Sequence, residues 1–130
     1  MISVTPETSV ADVALVLSKL RIGSVILSAN GKTAEGILSE RDIVRAIAMH
    51  GAHILIDPAS KHMTSKLVTC SLGATADQVL VTMTDKRFRH MPVVEDGELV
   101  GIVTIGDVVK ARMTELVMEK DALEGMIMGY

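Results

Sequence analysis

A seven-residue pattern occurs twice in the chain, and this duplication constrains the fold more than any other feature. The first copy spans residues 36–42 and the second spans residues 101–107. In both copies a glycine precedes two apolar residues, a hydroxyl residue, two variable residues and an aspartate. The apolar pair predicts the end of a buried strand, and the hydroxyl residue predicts the start of a helix.

Two interpretations of the pattern are open at this point. In the first, Ser39 or Thr104 caps the helix by accepting a hydrogen bond from an early N–H, and the acidic residue lies near the positive end of the helix dipole. In the second, the helix start and the hydroxyl group bind a phosphate, and Asp42 or Asp107 accepts hydrogen bonds from two ribose hydroxyls. A single copy favours capping, whereas its recurrence inside a longer repeat favours a nucleotide site.

The remainder of each half follows the same order. Ser9 and Thr75 predict helix starts, and Asn30-Gly31 and Asp96-Gly97 predict hairpin turns between apolar runs. Each half is therefore predicted to be β-α-β-β-α. The apolar residues at helical spacing, which should face the core, are Val10, Val13, Ala14 and Leu17, then Ile43, Ala46 and Ile47, and in the second half Ala76, Val79, Leu80 and Met83.

These repeats predict an α/β (α+β) fold in which two halves pack face to face around a pseudo-twofold axis. One half alone would expose an apolar sheet face that it cannot cover. We expect the first repeat at residues 1–51, a linker with about one helical turn at 52–66, the second repeat at 67–114 and a helical extension at 115–130.

The last helix is predicted to run nearly to the end of the chain, since nothing interrupts it before Gly125. Its apolar residues alternate at spacings of four and three, which is typical of a coiled-coil seam with one charged position. Beyond Leu116, the sequence is equally consistent with packing of this helix on its own domain and with its association with a helix of a second chain. The seam consists of Val109, Met113, Leu116, Lys120, Leu123, Ile127 and Tyr130.

Composition argues against several classes of function. The net charge of -3 provides no global attraction to DNA or to a membrane surface. Aromatic residues make up only 2% of the chain, which disfavours recognition of single strands by base stacking. No secretory signal or bilayer-spanning run is visible. The single Cys70 cannot form an internal disulfide, so we expect a reducing, cytoplasmic location.

Other chemistry-bearing residues give weaker signals. His50 and His53 could begin a metal site, but no cysteine or carboxylate cluster accompanies them, so no metal is expected. No nucleophile–base pairing is visible, which predicts that the chain has no catalytic residues and is not an enzyme. The basic cluster at residues 86–90 could suggest nucleic acid, but the acidic balance of the chain disfavours that partner.

The duplicated pattern, the strand at residues 88–94, the glycine hairpins and the linker ending in Met63-Thr64 resemble the CBS-domain pair, also called a Bateman module. The likeness extends from Val4 to about Thr114 and is closest to small stand-alone bacterial proteins of this family. The resemblance implies a regulatory module that binds AMP, ADP, ATP, NAD or S-adenosylmethionine. AMP is the ligand expected first, followed by NAD or ATP.

The resemblance also implies two clefts, each shared between the repeats. The aspartate would hold the ribose, and the hydroxyl residue would touch phosphate. The other repeat would close the cleft around adenine. One cleft would use Asp107 and Thr104, closed by Thr5, Gly23, Ser24 and Val25. The second cleft would use Asp42 and Ser39, closed by Thr69, Arg89, His90, Met91 and Pro92.

Charged residues should make these two clefts unequal. Arg89 and His90 suit phosphate, whereas Gly23 and Ser24 at the matching positions are uncharged. Arg41 either adds positive charge to the second cleft or is a solvated side chain. Modules of this type usually pair, so a homodimer and an unidentified regulated protein are the expected partners. The alternative is an interaction or oligomerisation module with empty clefts, built around the terminal helix.

Overall fold

The computed structural model describes residues 3–128 and contains four α-helices and five strands in that range. The first repeat contains β1 (Ser3–Val4), α1 (Val10–Leu20), β2 (Ser24–Leu27), β3 (Gly36–Ser39) and α2 (Glu40–His50). Two short 3-10 helices follow at Ala52–Ile56 and Ala59–Lys61. The second repeat contains α3 (Ala76–Lys86), β4 (His90–Glu95), β5 (Glu98–Thr104) and α4 (Ile105–Met128).

The helices start where the hydroxyl residues predict. The Ser9 side chain accepts a hydrogen bond of 3.1 Å from the Asp12 N–H. Thr75 and Gln78 form a complete capping box at the start of α3. Each cap satisfies N–H groups that the first helical turn would otherwise leave without a partner. These local hydrogen bonds explain why the helix starts can be read from the sequence.

The strands form one sheet in each repeat. In the first, β1 runs parallel to β2, and β2 runs antiparallel to β3 with Ile26 opposite Ile37. In the second, β4 and β5 form an antiparallel pair with Pro92 opposite Ile102. The matching hairpins place the end of β3 and the end of β5 directly before the starts of α2 and α4. Both copies of the duplicated pattern therefore lie at a strand-to-helix junction.

The second repeat lacks the first strand that its sequence predicts. Cys70 instead makes a single parallel bridge to Val93. Its N–H donates to the Pro92 carbonyl at 3.0 Å, and its carbonyl accepts from the Val94 N–H at 2.8 Å. A turn then begins, because the Ala74 N–H donates to the Ser71 carbonyl. The chain turns away before a second pair of ladder hydrogen bonds can form.

Each repeat has its own buried apolar cluster. The first is built on Val10, Val13 and Leu17 of α1, and the second on Val79 and Met83 of α3. The prediction that Ile47 faces the core is wrong, since this side chain is 36% exposed. The linker packs Ile54 and Ala59 into the first cluster beside Ile43 and Ala46, which leaves Ile47 at the margin of the buried face.

The linker is more ordered than the single helical turn expected from its sequence. The Ala59 N–H donates to the Thr8 carbonyl at 2.7 Å, and Ile54 is almost completely buried. Further on, Thr64 and Ile37 exchange hydrogen bonds of 2.9 and 3.0 Å, so the linker extends the first sheet at the β3 edge. The linker therefore belongs structurally to the first repeat.

No helix within residues 3–128 combines the length and the apolar character that a bilayer crossing requires. The last helix of the fold, α4, is 24 residues long and includes Gly125, so it runs nearly to the end of the chain as expected. Ile127 and Tyr130 of the predicted seam lie outside the residues whose side chains the structure describes.

Gly36 is required by the close passage of the linker, which gives a testable asymmetry between the repeats. A Cβ at Gly36 would lie 2.8 Å from Cγ of Met63 and 3.1 Å from the Thr64 carbonyl oxygen. Gly36→Ala should therefore lower the free energy of unfolding by about 1–3 kcal/mol, because the overpacked linker must move. Chemical denaturation followed by circular dichroism measures this change.

The matched control is Gly101→Ala, at the equivalent position in the second repeat. No atom outside the neighbouring residues lies within 4 Å of a Cβ there. Its free energy of unfolding should be unchanged or rise by about 0.5–1 kcal/mol, since alanine loses less chain entropy than glycine in a strand. Equal destabilisation by both substitutions would contradict the role given to the linker.

Candidate functional site

A pocket of about 360 Å³ lies between the two repeats at the junction of β3 and α2. The first repeat contributes residues 39–42 at this junction and Gly23 just before β2. The linker contributes Thr64 and Lys66, and the second repeat contributes residues 67–68 and 86–90. A ligand in this pocket would touch both repeats and the segment that connects them.

Part of the pocket lining is apolar. Phe88, the only phenylalanine of the chain, is half-buried and lines the pocket together with Ile37, Leu67, Val68 and Pro92. A flat aromatic ring with neighbouring aliphatic side chains can bind a planar ring system through its faces.

The pocket lining also carries an excess of positive charge. Six lysine and arginine residues line it, against two carboxylates, although the whole chain has a net charge of -3. Such a concentration of cationic side chains favours an anionic ligand, and arginine forks match phosphate oxygens in pairs. The basic residues are Arg41, Arg45, Lys66, Lys86, Arg87 and Arg89, and the acidic ones are Glu40 and Asp42.

Asp42 is held in the pocket by a reciprocal capping box with Ser39. Its Oδ2 atom accepts hydrogen bonds of 3.0 Å from both the N–H and the hydroxyl of Ser39. The Ser39 oxygen accepts in turn from the Asp42 N–H at 3.2 Å. Among the described residues nothing donates to Oδ1 of Asp42, so this oxygen is available to a ligand hydroxyl. Capping and ligand binding are thus compatible roles of one carboxylate.

The backbone at the start of α2 has little donor capacity left for a phosphate. The Glu40 N–H donates to the Gly23 carbonyl at 3.0 Å, and the Asp42 N–H donates to Ser39. The Ser39 hydroxyl proton is directed to Asp42. The resemblance implies that this hydroxyl touches phosphate, but in the structure its donor is already in use. The basic side chains are therefore the main donors available to an anion.

His90 of the second repeat lies close to Gly23 of the first repeat within the pocket. A Cβ on Gly23 would be only 3.1 Å from Nε2 of His90. Burial lowers the pKa of His90 below its ordinary value of 6.5, Glu40 and Asp42 partly oppose this effect, and Arg89 adds to it. At neutral pH the imidazole is therefore neutral, and its nitrogen atoms can act as one donor and one acceptor.

The remaining predicted site residues are distributed between the cores and the surface. Ser24, Val25 and Met91 are buried, and Val25 and Met91 belong to the two apolar clusters. Thr69 is exposed, and Val68 occupies the pocket wall in its place. Thr5 is also exposed, and its hydroxyl lies 2.9 Å from that of Thr8.

The second copy of the pattern forms a reciprocal cap as well, but its residues do not line the Asp42 pocket. Thr104 and Asp107 exchange hydrogen bonds of 3.1 Å at the start of α4, and Asp107 is exposed. Gly23 was assigned to this cleft by the resemblance, but the structure places it in the pocket with Asp42. The two halves therefore share a motif and differ in what surrounds it.

The sequence prediction missed several residues of the pocket. Arg45 follows Arg41 by one helical turn, which is a signal that the charge pattern of α2 already contained. Lys86 and Arg87 belong to the basic cluster at residues 86–90, which the sequence alone does not connect with the pocket. Lys66 and Phe88 gave no local signal, because their place in the pocket depends on how the linker and the second repeat fold against α2.

Nothing in the described residues suggests a metal centre, since no group of three or more histidine, cysteine, aspartate or glutamate side chains converges there. The pocket contains a carboxylate, basic groups and an apolar surface, which are the elements of a binding site for an anionic, hydroxyl-bearing ligand. These groups can recognise and orient such a ligand by hydrogen bonds and charge.

Comparison with known proteins gives the family of this chain. The CBS domain model matches residues 1–49 and 59–114, so the chain belongs to the CBS-domain family as a tandem pair. The crystal structure of a CBS-domain containing protein from Agrobacterium tumefaciens has the same fold, with 44% sequence identity and a TM-score of 0.82. The superposition covers 86% of this chain and 89% of that one.

Two further relatives are informative. A CBS domain protein from Pyrobaculum aerophilum, solved in complex with AMP, is 31% identical with a TM-score of 0.74. The match covers 82% of this chain and 81% of that one. A mitochondrial CBS domain-containing protein of Arabidopsis thaliana is 31% identical over 129 residues. This chain spans only 63% of the length of the Arabidopsis relative, although the match includes 96% of the chain itself.

The burial of His90 predicts a pH dependence of stability. The pKa of His90 is lower in the folded chain than in the unfolded chain. At pH values between these two pKa values the unfolded chain binds more protons, so the free energy of unfolding falls as the pH decreases through 6.5. The free energy of unfolding, measured with urea, should therefore decrease more between about pH 7.5 and about pH 5.5 for the natural chain than for His90→Asn. The other three histidines are common to both proteins, so equal losses would contradict the assignment to His90.

Proposed function

We propose that this CBS pair is a regulatory module without catalytic activity that binds an adenine nucleotide in the Asp42 pocket. The observation that carries the proposal is the pocket itself, which combines a carboxylate with a free oxygen, an apolar wall and six basic side chains. Asp42 would hold the ribose through Oδ1, Phe88 and its apolar neighbours would contact adenine, and Arg89 would contact phosphate.

The electrostatics of the pocket favour some nucleotides over others. AMP, ADP, ATP and NAD are anions, whereas S-adenosylmethionine carries a sulfonium cation. Six lysine and arginine side chains would stabilise the former and repel the latter. The AMP complex of the Pyrobaculum relative supports AMP as the first candidate. Sensing of the energy state, or of the redox state through NAD, would then depend on nucleotide concentration.

Regulation would follow from contact with both repeats. A ligand changes an equilibrium only by its differential affinity for the two arrangements. Here Asp42 comes from the first repeat and Arg89 and His90 come from the second. A bound nucleotide would stabilise the arrangement in which these groups converge. The proposal includes a homodimer and a regulated partner protein. It also includes a cytoplasmic location, because the single cysteine cannot form an internal disulfide.

The Asp107 cleft would bind nucleotide more weakly than the Asp42 pocket. Asp107 is exposed, and it does not line the Asp42 pocket. We therefore expect one nucleotide per chain. The alternative function, a ligand-free interaction module, is favoured only by the apolar residues that α4 exposes, such as Met113 and Leu123. That surface and the nucleotide pocket share no residues.

The two aspartates of the duplicated pattern provide a matched pair of variants. Asp42→Ala should weaken AMP binding by roughly 10- to 100-fold, because a charge-assisted hydrogen bond to the ribose is lost. Asp107→Ala should change the affinity by less than about twofold. Isothermal titration calorimetry with AMP, ATP and NAD measures both the affinity and the stoichiometry. Equal effects of the two substitutions would contradict the choice of pocket.

The role of Arg89 can be separated from that of the adenine wall. Arg89→Ala should weaken AMP binding about tenfold or more, because a phosphate contact is lost, and leave adenosine binding unchanged. Lys19→Ala, which removes an exposed charge on α1 away from the pocket, is the control and should affect neither ligand. A similar loss of adenosine binding in the Arg89 variant would show that the residue supports the pocket rather than the phosphate.

A further inference from the structure

Among the residues that line the Asp42 pocket, His90 is the only one whose charge ordinarily changes between about pH 5 and about pH 8. The imidazole is half-buried, and its residue lies in β4 opposite Thr104 of β5. Neither ring nitrogen has a hydrogen-bond partner within residues 3–128, and neither is completely buried. The ring can therefore take up a proton from the pocket without breaking an existing hydrogen bond.

The positive charge around His90 is not compensated by ion pairs. Arg89 is the neighbour of His90 in the chain, and five further basic side chains line the same pocket. These are Arg41 and Arg45 of α2, Lys66 of the linker, and Lys86 and Arg87 at the end of α3. Within the described part of the chain none of the six forms an ion pair with a carboxylate. A further positive charge on the ring is therefore unfavourable in the free pocket.

Carboxylates oppose this effect only in part. Burial disfavours the protonated ring most, Glu40 and Asp42 of α2 favour it, and Arg89 disfavours it. On the side of β5, Thr104 is uncharged, and the Asp107 carboxylate accepts a hydrogen bond from the Thr104 N–H. Together these groups hold the pKa of His90 below 6.5, so the ring of the free protein is neutral at neutral pH.

A phosphate group in the pocket would reverse this balance. A phosphate monoester has a charge of about -1.5 to -2 at neutral pH. Placed against Arg89, it would neutralise the cation that opposes protonation of the adjacent ring. Its oxygens would also accept a charge-assisted hydrogen bond from an imidazolium N–H. Both effects stabilise the protonated ring relative to the neutral one. An uncharged ligand such as adenosine would provide neither effect.

We propose that His90 couples nucleotide binding to proton uptake, so that the pocket binds a phosphate-bearing ligand more tightly when the ring is protonated. The inference rests on the proposed nucleotide site and adds a second input to it. Because of thermodynamic linkage, the proton and the nucleotide strengthen each other's binding by the same factor. Occupancy of the pocket would then depend on pH as well as on nucleotide concentration.

The histidine rings report this coupling directly in the natural chain. Nuclear magnetic resonance follows the four rings from about pH 5 to about pH 8 in the free protein, with saturating AMP and with saturating adenosine. The titration midpoint of His90 should move to higher pH with AMP but not with adenosine. The other three histidines do not line the pocket and serve as internal references. The His90 signal is assigned by its absence from His90→Asn and, independently, by its through-space contact with Gly23.

The affinity for AMP gives a second measurement with a matched control. His90→Asn and His50→Asn each remove one histidine, but His50 is exposed at the end of α2 and does not line the pocket. Calorimetric titration at about pH 7.5 and about pH 5.5 measures the dissociation constants. AMP itself gains a proton near pH 6, which affects all proteins equally. Relative to His90→Asn, the natural chain and His50→Asn should gain at least about threefold in affinity at the lower pH.

The outcomes separate this inference from the proposed function. A His90 midpoint that rises with AMP and not with adenosine supports the coupling, and it needs only the natural chain. A midpoint that AMP leaves unchanged or lowers, while Asp42→Ala still weakens AMP binding, overturns the coupling and leaves the nucleotide site intact. An equal rise with adenosine overturns the role of the phosphate. The same change in affinity with pH in the natural chain and in His90→Asn also overturns the coupling. Absence of AMP binding at both pH values refutes the nucleotide site and the coupling together.

Discussion

The capping box between Ser39 and Asp42 is the interaction on which the pocket depends. It joins the end of β3 to the start of α2 through hydrogen bonds of 3.0 to 3.2 Å. The Gly23 carbonyl adds a further bond to the same turn by accepting from the Glu40 N–H. Two strands and a helix therefore meet at one point, and the fold itself orients the Asp42 carboxylate. A ligand would not have to order this group, which lowers the cost of binding.

One of the differences between the two repeats at the pocket lies at a pair of matched positions. Gly23 and Arg89 occupy equivalent places, and each carbonyl accepts a hydrogen bond from the first N–H of the following helix, Glu40 or Ile105. The shared backbone role is thus kept, while the side chains differ completely. The small glycine admits the His90 ring, and the arginine adds charge beside Asp42. The two repeats therefore share the backbone hydrogen bond at this turn, whereas the charged side chain is present only in the second repeat.

The sequence predicts this molecule best where structure depends on residues three or four apart. The caps at Ser9, Ser39 and Thr75 are confirmed, because each involves its own helical turn. Predictions failed where distant segments decide the outcome. Ile47 has core spacing but lies beyond the area that the linker covers. Lys66 and Phe88 join the pocket only because the linker follows the β3 edge and the second repeat packs opposite α2, which no local pattern encodes.

The two copies of the pattern have also acquired different surroundings along the chain. The first ends in an 11-residue helix whose start forms a pocket, and the second begins a 24-residue helix with an exposed distal half. These two regions are connected by Arg89, whose side chain lines the pocket and whose carbonyl accepts the first N–H of α4 at 2.9 Å. His90, the next residue, pairs with Thr104 immediately before that helix. A phosphate that holds Arg89 would therefore act on the residue that fixes the start of α4. Coupling between the nucleotide and α4 would need no longer path than this one peptide unit, provided that α4 has two arrangements for the ligand to select between.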